Sequence, residues 1–302
     1  MALRLATRGS ALALAQARAV AEMLGGAELV EADSAGEPGD KSRFVRGVEQ
    51  ALIDDLADVG VHSAKDLPSV MPEELMIAGV PVRENPADVW IGTGSSLADV
   101  PEGARVGTAS LRRQSQLLAA RPDLRVGELH GNVDTRLRRL GEGDLDGIVL
   151  AAAGLRRLGR EGEIAFALDA DAMTPAAGQG ALVLQARRED GGVLGACAAL
   201  TDETALLELT AERAAVAALD ADCTSPIGIH AEVSGERLAI EAFVGLPDGS
   251  EWVRDRVEVD AERAPEAGAG IAQRLLSAGA GELLERAASE SPAQSAQSGG
   301  GG

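Results

Sequence analysis

Between residues 105 and 160 the chain repeats one arrangement three times. A short β-type run breaks at a small or polar residue, and a helical pattern carrying arginine follows. The stretches are Val106-Gly107-Thr108-Ala109-Ser110-Leu111-Arg112-Arg113, His130-Gly131-Asn132-Val133-Asp134-Thr135-Arg136 and Ala153-Gly154-Leu155-Arg156-Arg157. Strand-to-helix junctions in series argue for an α/β fold with mainly parallel sheets. The same alternation precedes them. Residues 3–7 read as a strand and lead into a helix over 11–24 with Ser10 as its cap. Residues 44–56 read as a helix, and 59–62 and 74–80 as strands.

The pattern changes near residue 225. Residues 229–233, 238–244 and 252–259 read as strands joined by Ser234-Gly235-Glu236 and Pro247-Asp248-Gly249-Ser250, both turn chemistry. Helical stretches follow at 266–278 and 281–288, which suggests a small α+β domain. Residues 289–302 are Ser/Gln/Gly-rich and are expected to be a disordered tail. No internal sequence repeat is evident. The 302 residues suffice for two or three cores, and with 2% aromatics and no Tyr those cores must be aliphatic.

Charge narrows the partners. The formal net charge is −20, which excludes nucleic acid and anionic membrane surfaces as natural partners. Only two of the 28 basic residues are lysine, Lys41 and Lys65. An acid excess with so few lysines fits adaptation to high intracellular salt, which screens self-repulsion. Residues 101–160 go against this trend, with eleven arginines and seven carboxylates. Guanidinium groups gathered at helix starts suit a ligand with several carboxylates or phosphates. Surface ion pairing is the bland alternative for any single Arg. Thr7-Arg8-Gly9-Ser10 repeats the arrangement at the first helix.

Val61-His62-Ser63-Ala64-Lys65-Asp66-Leu67-Pro68 follows a strand directly, where open α/β sheets place their ligands. Asp66 has the chemistry to hold an amine, donate a proton and stabilise a cation; beside Lys65 it also reads as a plain surface pair. Of the two cysteines, Cys197 lies in an Ala-rich helical context and reads as a buried small hydrophobe. Cys223 lies in a Pro/Gly-bounded loop, where a buried thiol and a nucleophile or covalent attachment point are both open readings. Two cysteines make no disulfide framework. No Cys/His spacing marks a metal site, and no apolar run is long enough to span a membrane. A cytoplasmic location is expected.

Nine stretches taken together, LRLATRGSALALAQA, FVRGVEQAL, DVGVHSAKDLP, VGTASLRRQSQL, GNVDTRLRRL, AAAGLRRLG, PAAGQGALVLQAR, LTAERA and CTSPIG, resemble the porphobilinogen deaminase (hydroxymethylbilane synthase) family over nearly the whole chain. The resemblance implies two periplasmic-binding-protein-like α/β domains with mainly parallel sheets and a small C-terminal α+β domain. Domain 1 would take residues 1–82 and 178–200, domain 2 residues 83–177, and domain 3 residues 201–288. It implies a transferase that joins four porphobilinogen molecules head to tail, with loss of ammonia, to give hydroxymethylbilane.

Asp66 would be the catalytic acid. A dipyrromethane cofactor would be bound to Cys223 through a thioether, with Lys65, Ser110, Arg112, Arg113, His130 and Arg136 around it. Arg8, Ser10, Arg157 and Lys41, the last in a mobile lid, would hold the substrate and the growing oligopyrrole. The protein would act as a monomer. The alternative is a non-enzymatic anion-binding module on the same fold. Three features depart from the family pattern: His130 where Arg is usual, Ala221-Asp222 before Cys223 where two glycines are usual, and a short acidic lid at 36–43.

Overall fold

The computed structural model describes residues 2–32, 43–222 and 224–290. The first elements are β1 (Leu3–Thr7), α1 (Ala11–Met23), β2 (Ala27–Glu31), α2 (Arg43–Ile53), β3 (Val59–Ser63) and β4 (Leu75–Gly79). The chain then forms β5 (Asp88–Gly92), β6 (Arg105–Gly107), α3 (Leu111–Ala120), β7 (Arg125–Gly127), α4 (Val133–Gly141), β8 (Gly147–Ala151), α5 (Ala152–Arg157) and β9 (Phe166–Ala167). It continues through β10 (Leu182–Arg187), α6 (Gly191–Ala198) and α7 (Glu203–Ala218). Last come β11 (Ile227–Ser234), β12 (Arg237–Gly245), β13 (Trp252–Asp260), α8 (Ala264–Ser277) and α9 (Ala280–Glu290).

Three sheets result. The first has the order β2-β1-β3-β10-β4 and the second β7-β6-β8-β5-β9. In the first, β1 pairs parallel with β2 and β3, while β10 runs antiparallel to β3 and β4. In the second, β6 pairs parallel with β7 and β8, while β5 runs antiparallel to β8 and β9. Four strands of each sheet therefore point one way and the fourth in order is reversed. The reversed strand lies next to a crossover between the sheets: β5 opens the second sheet's segment and β10 returns to the first. The third sheet, β11-β12-β13, is antiparallel throughout.

Apolar residues, nearly all aliphatic, fill both faces of the first two sheets. Leu5, Val59, Val61 and Leu184 pack on one side of the first, and Ala6, Val48, Leu52 and Leu75 on another. In the second, Trp90, Val106, Leu117 and Val149 form one cluster and Ile148, Leu150 and Leu155 another. The third sheet buries one face under α7, α8 and α9, with Ile229, Ile240, Ile271 and Leu275 at its centre.

Some elements differ from the expectation. The helix expected over 44–56 stops at Ile53, because Asp55 takes a left-handed backbone (φ 55°) and the Leu56 amide closes back on the Ala51 carbonyl. The last helix runs to Glu290, two residues into the stretch expected as tail. There Ala287 is buried and the Ser289 hydroxyl donates to the Arg286 carbonyl. Strands β5 and β10 and helix α7 are not assigned from the sequence. Strand β10 is buried on both faces and lacks the alternation that marks half-exposed strands.

Candidate functional site

The C-terminal ends of β1, β3, β6 and β8 carry the residues singled out above. At the end of β1, Ser10 caps α1 by accepting from the Ala13 amide at 3.3 Å. At the end of β6, Ser110 caps α3, accepting from the Arg113 amide at 3.5 Å. Both serines are β-region caps, so both junctions also present the free amides of a helix start.

Asp66 ends a short 3₁₀ turn, Ala64–Asp66, that follows β3. Its Oδ2 accepts from Arg8 at 3.3 Å, and 39% of its side chain remains exposed. Lys65 in the same turn donates to Gln179 Oε1 at 3.3 Å. Burial lowers the Lys65 pKa to about 8, and the nearby charge of Arg113 pushes the same way. Two contacts fix this turn. Gly178 holds φ +71°, and a side chain there would collide with Ala64 and the Lys65 amide, so only glycine lets the returning chain pass this close. On the other flank Arg213 of α7 donates to the carbonyls of Leu67 (3.2 Å), Pro68 (2.9 Å) and Ser69 (3.3 Å).

Both connections between the first two sheets are tied to α7. Arg83, in the outgoing connection, donates to both Glu212 carboxylate oxygens at 2.9 and 3.1 Å and to the Gln179 carbonyl at 2.9 Å. Glu212 also accepts from the Gly178 amide at 2.6 Å and, on the third sheet, from the Ala231 amide at 2.8 Å. Burial disfavours the Glu212 carboxylate, but Arg83 overrides it and the pKa falls below the usual value. One buried ion pair thus joins the outgoing connection, the return and the third sheet.

The second sheet supplies cations. Arg112 and Arg113 are buried and converge on Asp88 at the start of β5. Arg112 donates to Oδ2 at 2.6 Å and to the Thr174 carbonyl at 2.8 Å, and Arg113 donates to Oδ1 at 2.9 Å and to the Val149 carbonyl. Burial opposes charge on Asp88, yet the two guanidinium groups hold its carboxyl well below the ordinary range. Arg136 donates to the Gly131 carbonyl, and burial, then Arg113, lowers its pKa to about 10. Arg157 donates to the Gly180 carbonyl at 2.7 Å and burial lowers its pKa, whereas Arg156 beside it is paired with Glu84 and Glu161.

Half-buried Lys65, Arg136 and Arg157 have no carboxylate within ion-pair distance among the described residues. His130 is exposed and bonded to Glu128 at 3.0 Å. Lys41 and Cys223 lie outside the described residues. Next to the latter, Asp222 Oδ1 accepts from the Thr224 amide and hydroxyl and from the Ser225 amide. No His/Cys/Asp/Glu group among the described residues has the makings of a metal site. Cys197 is buried, and burial raises its thiol pKa to about 11, as befits a core residue.

Sequence reasoning missed Asp88, Arg83, Glu212 and Arg213. The charge pattern could have pointed to Asp88, a lone acid opening an apolar run, but its partners lie 24 and 25 residues away.

A family model described as "porphobilinogen deaminase, dipyromethane cofactor binding domain" matches residues 3–194, and one for the porphobilinogen deaminase C-terminal domain matches 206–277. The chain belongs to the porphobilinogen deaminase family. It is 40% identical to the porphobilinogen deaminase of Syntrophus aciditrophicus, over 94% of this chain and 98% of that protein. It is 43% identical to that of Thermus thermophilus, over 92% and 96%. Among solved structures it is similar to a TRAP periplasmic solute-binding protein from Desulfovibrio salexigens (10% identity, TM-score 0.41, 67% of this chain and 72% of that one). It is also similar to an arginine-specific periplasmic binding protein of Salmonella typhimurium (13% identity, TM-score 0.39, 68% and 93%).

Proposed function

We propose that the facing ends of the first two sheets carry out the family's reaction, with Asp66 as the acid–base group. The reaction polymerises porphobilinogen to hydroxymethylbilane in tetrapyrrole synthesis. Asp66 is the one acid at the end of β3, is partly exposed, and is oriented by Arg8. A carboxylate there can hold the substrate amine, transfer a proton to it and stabilise the cation left when the amine departs.

The dipyrromethane cofactor fits the site by charge. Each of its two pyrroles brings two carboxylates, and Lys65, Arg136 and Arg157 are half-buried cations with no carboxylate of their own among the described residues. When bound, the cofactor supplies the ring to which substrate units are added. We assign its attachment to Cys223 and its carboxylates to Lys65, Ser110 with the α3 amides, Arg136, and those donors of Arg112 and Arg113 that Asp88 leaves uncommitted. Arg8, Ser10, Arg157 and Lys41 are assigned to substrate. His130 is assigned a minor role, since Glu128 already occupies it. The division into three domains follows the three sheets, with α7 as the brace.

The partly buried cations that lack acids carry this reading. Intact mass after acid denaturation, followed by peptide mapping, tests it. The expected result is a dipyrromethane adduct on the Cys223 peptide. An unmodified Cys223, in protein that also gives no product from porphobilinogen, would favour a plain anion-binding module.

The acid excess supports a further assignment to a salty cytoplasm. No helix among the described residues is long and apolar enough to cross a membrane. Raising KCl should raise the unfolding midpoint, and full stability in dilute buffer would contradict the assignment.

A further inference from the structure

Behind Asp66 lies a small cavity lined by Arg8, Gln16, His62, Ser63 and Asp66, with Val45 and Val48 of α2 among its apolar walls. It has room for about one water-sized molecule. His62 is 5% exposed and forms one end of a buried polar chain. Its Nε2 lies 2.9 Å from Gln185 Oε1, and the Gln185 amide nitrogen donates to Glu49 Oε1 at 2.9 Å. Glu49 accepts, so the Gln185 amide must point its NH₂ at the carboxylate and its oxygen at His62. Nε2 is then the donor, and Nδ1 of the neutral ring is left as an acceptor. No described residue bonds Nδ1. Gln16 and Ser63 satisfy each other at 2.9 and 3.2 Å.

We propose that this cavity receives the leaving amine: the aminomethyl nitrogen of the substrate first, and ammonia once the carbon–nitrogen bond has broken. The inference rests on the assignment of Asp66 as the acid–base group. The carbon–nitrogen bond breaks with its electron pair on nitrogen, so an amine bound as ammonium leaves as neutral ammonia and the substrate keeps the positive charge. When the new carbon–carbon bond forms, the attacked ring loses one proton, which passes through Asp66 to ammonia and balances the step as ammonium. Ammonia brings three donors to a cavity lined by Asp66, whose carboxylate accepts, and by His62, whose Nδ1 is the ring's open acceptor. Burial holds the His62 pKa at about 4, so the ring accepts a hydrogen bond without taking the proton. Arg8 opposes a lingering ammonium ion and so favours its exit.

Only His62, His130 and His230 are present, so nitrogen-15 NMR of labelled histidine reads the site directly. The expected result is a neutral Nε2–H tautomer for His62 whose Nδ1 resonance moves on adding ammonium chloride, and does not move with methylammonium or sodium chloride at equal ionic strength. Ammonium should inhibit turnover at concentrations where methylammonium does not. Val45→Ile, which fills the wall without touching a polar group, should raise the ammonium needed by about tenfold, the loss of roughly one hydrogen-bonded fit. It should raise KM for porphobilinogen as well as lower kcat. An unmoved His62 resonance, equal inhibition by methylammonium, or unchanged ammonium inhibition in Val45→Ile would overturn the proposal. A His62 response to ammonium in a protein that makes no product would overturn the functional assignment and leave the small-amine site standing.

Discussion

The first two sheets have the same pattern of strand directions and the same reversed strand, yet they hold different charges at equivalent places. Each contains a strand, a serine cap and a helix in succession: β1, Ser10 and α1 in one, β6, Ser110 and α3 in the other. In each, the third strand across the sheet, β3 or β8, leads into a short helical turn. That turn carries Lys65 and Asp66 in the first sheet and Arg156 and Arg157 in the second. The second sheet also buries two guanidinium groups under its first helix, neutralised by Asp88 on the reversed strand. The frame fixes where functional groups can stand, and the proposed division into a catalytic and an anion-holding sheet rests on the side chains at the strand ends.

Replacing the two acids should separate these roles most sharply. Asp66→Asn keeps the size of the side chain and removes only the acid. Turnover should fall by about 10²–10⁴-fold, with the cofactor still attached and the unfolding midpoint close to that of the parent. Near-normal turnover would remove Asp66 from the chemistry. Asp88→Ala should do the reverse, because it leaves two buried cations without their counter-charge. A loss of about 3–5 kcal/mol is expected in denaturant unfolding. An Asp88→Ala protein of normal stability would mean that Arg112 and Arg113 can turn outward, and the second sheet would then be far less preorganised than its geometry implies.

The contrast between these acids marks what the sequence can carry. The place of Asp66 just past a strand end was legible because its signal is local: a strand, a turn and four polar residues within five positions. The serine caps were legible for the same reason, and so was the antiparallel C-terminal sheet, whose turns are written as Ser-Gly and Pro-Asp-Gly. Asp88 was not, since its meaning comes from Arg112 and Arg113 across a crossover. The Arg83–Glu212 pair spans 129 residues and the Gln185–Glu49 bond 136, and no periodicity or motif encodes such pairings. Burial hid β5 and β10 likewise, since neither shows alternation, and β10 also belongs to a sheet whose other strands all precede the second sheet in the chain.

Lys65 and the arginines facing it should respond differently to pH. Lys65 titrates near 8 in the folded protein, so its cation is complete well below that pH and is lost as pH rises through it. Affinity for a carboxylate ligand should fall above pH 8 by up to about tenfold per unit. Stability of the ligand-free protein should move the other way. The unfolded chain keeps the lysine proton to its ordinary value of 10.5, so folding becomes easier as pH rises from about 8 toward that value. Lys65→Arg should abolish the affinity step. A step that survives the substitution would mean that a group other than Lys65 titrates there.

The two serine caps give the smallest and cleanest comparison, because they occupy the same place in the two frames. Capping alone predicts that Ser10→Ala and Ser110→Ala each cost about 1 kcal/mol of stability. A cap that also serves a ligand should lose binding beyond that, while the matching Gly variants, which cost only a few tenths of a kcal/mol as caps, should still show the binding defect. Ser110 stands at the helix start that carries Arg112 and Arg113, so its Gly variant should retain less cofactor on reconstitution of the apo-protein. Ser10 stands beside Arg8 and Asp66, so its Gly variant should raise KM for porphobilinogen with cofactor occupancy unchanged. Identical behaviour of the two variants would mean that the sheets do not divide cofactor and substrate between them, and that both ends grip the same growing chain.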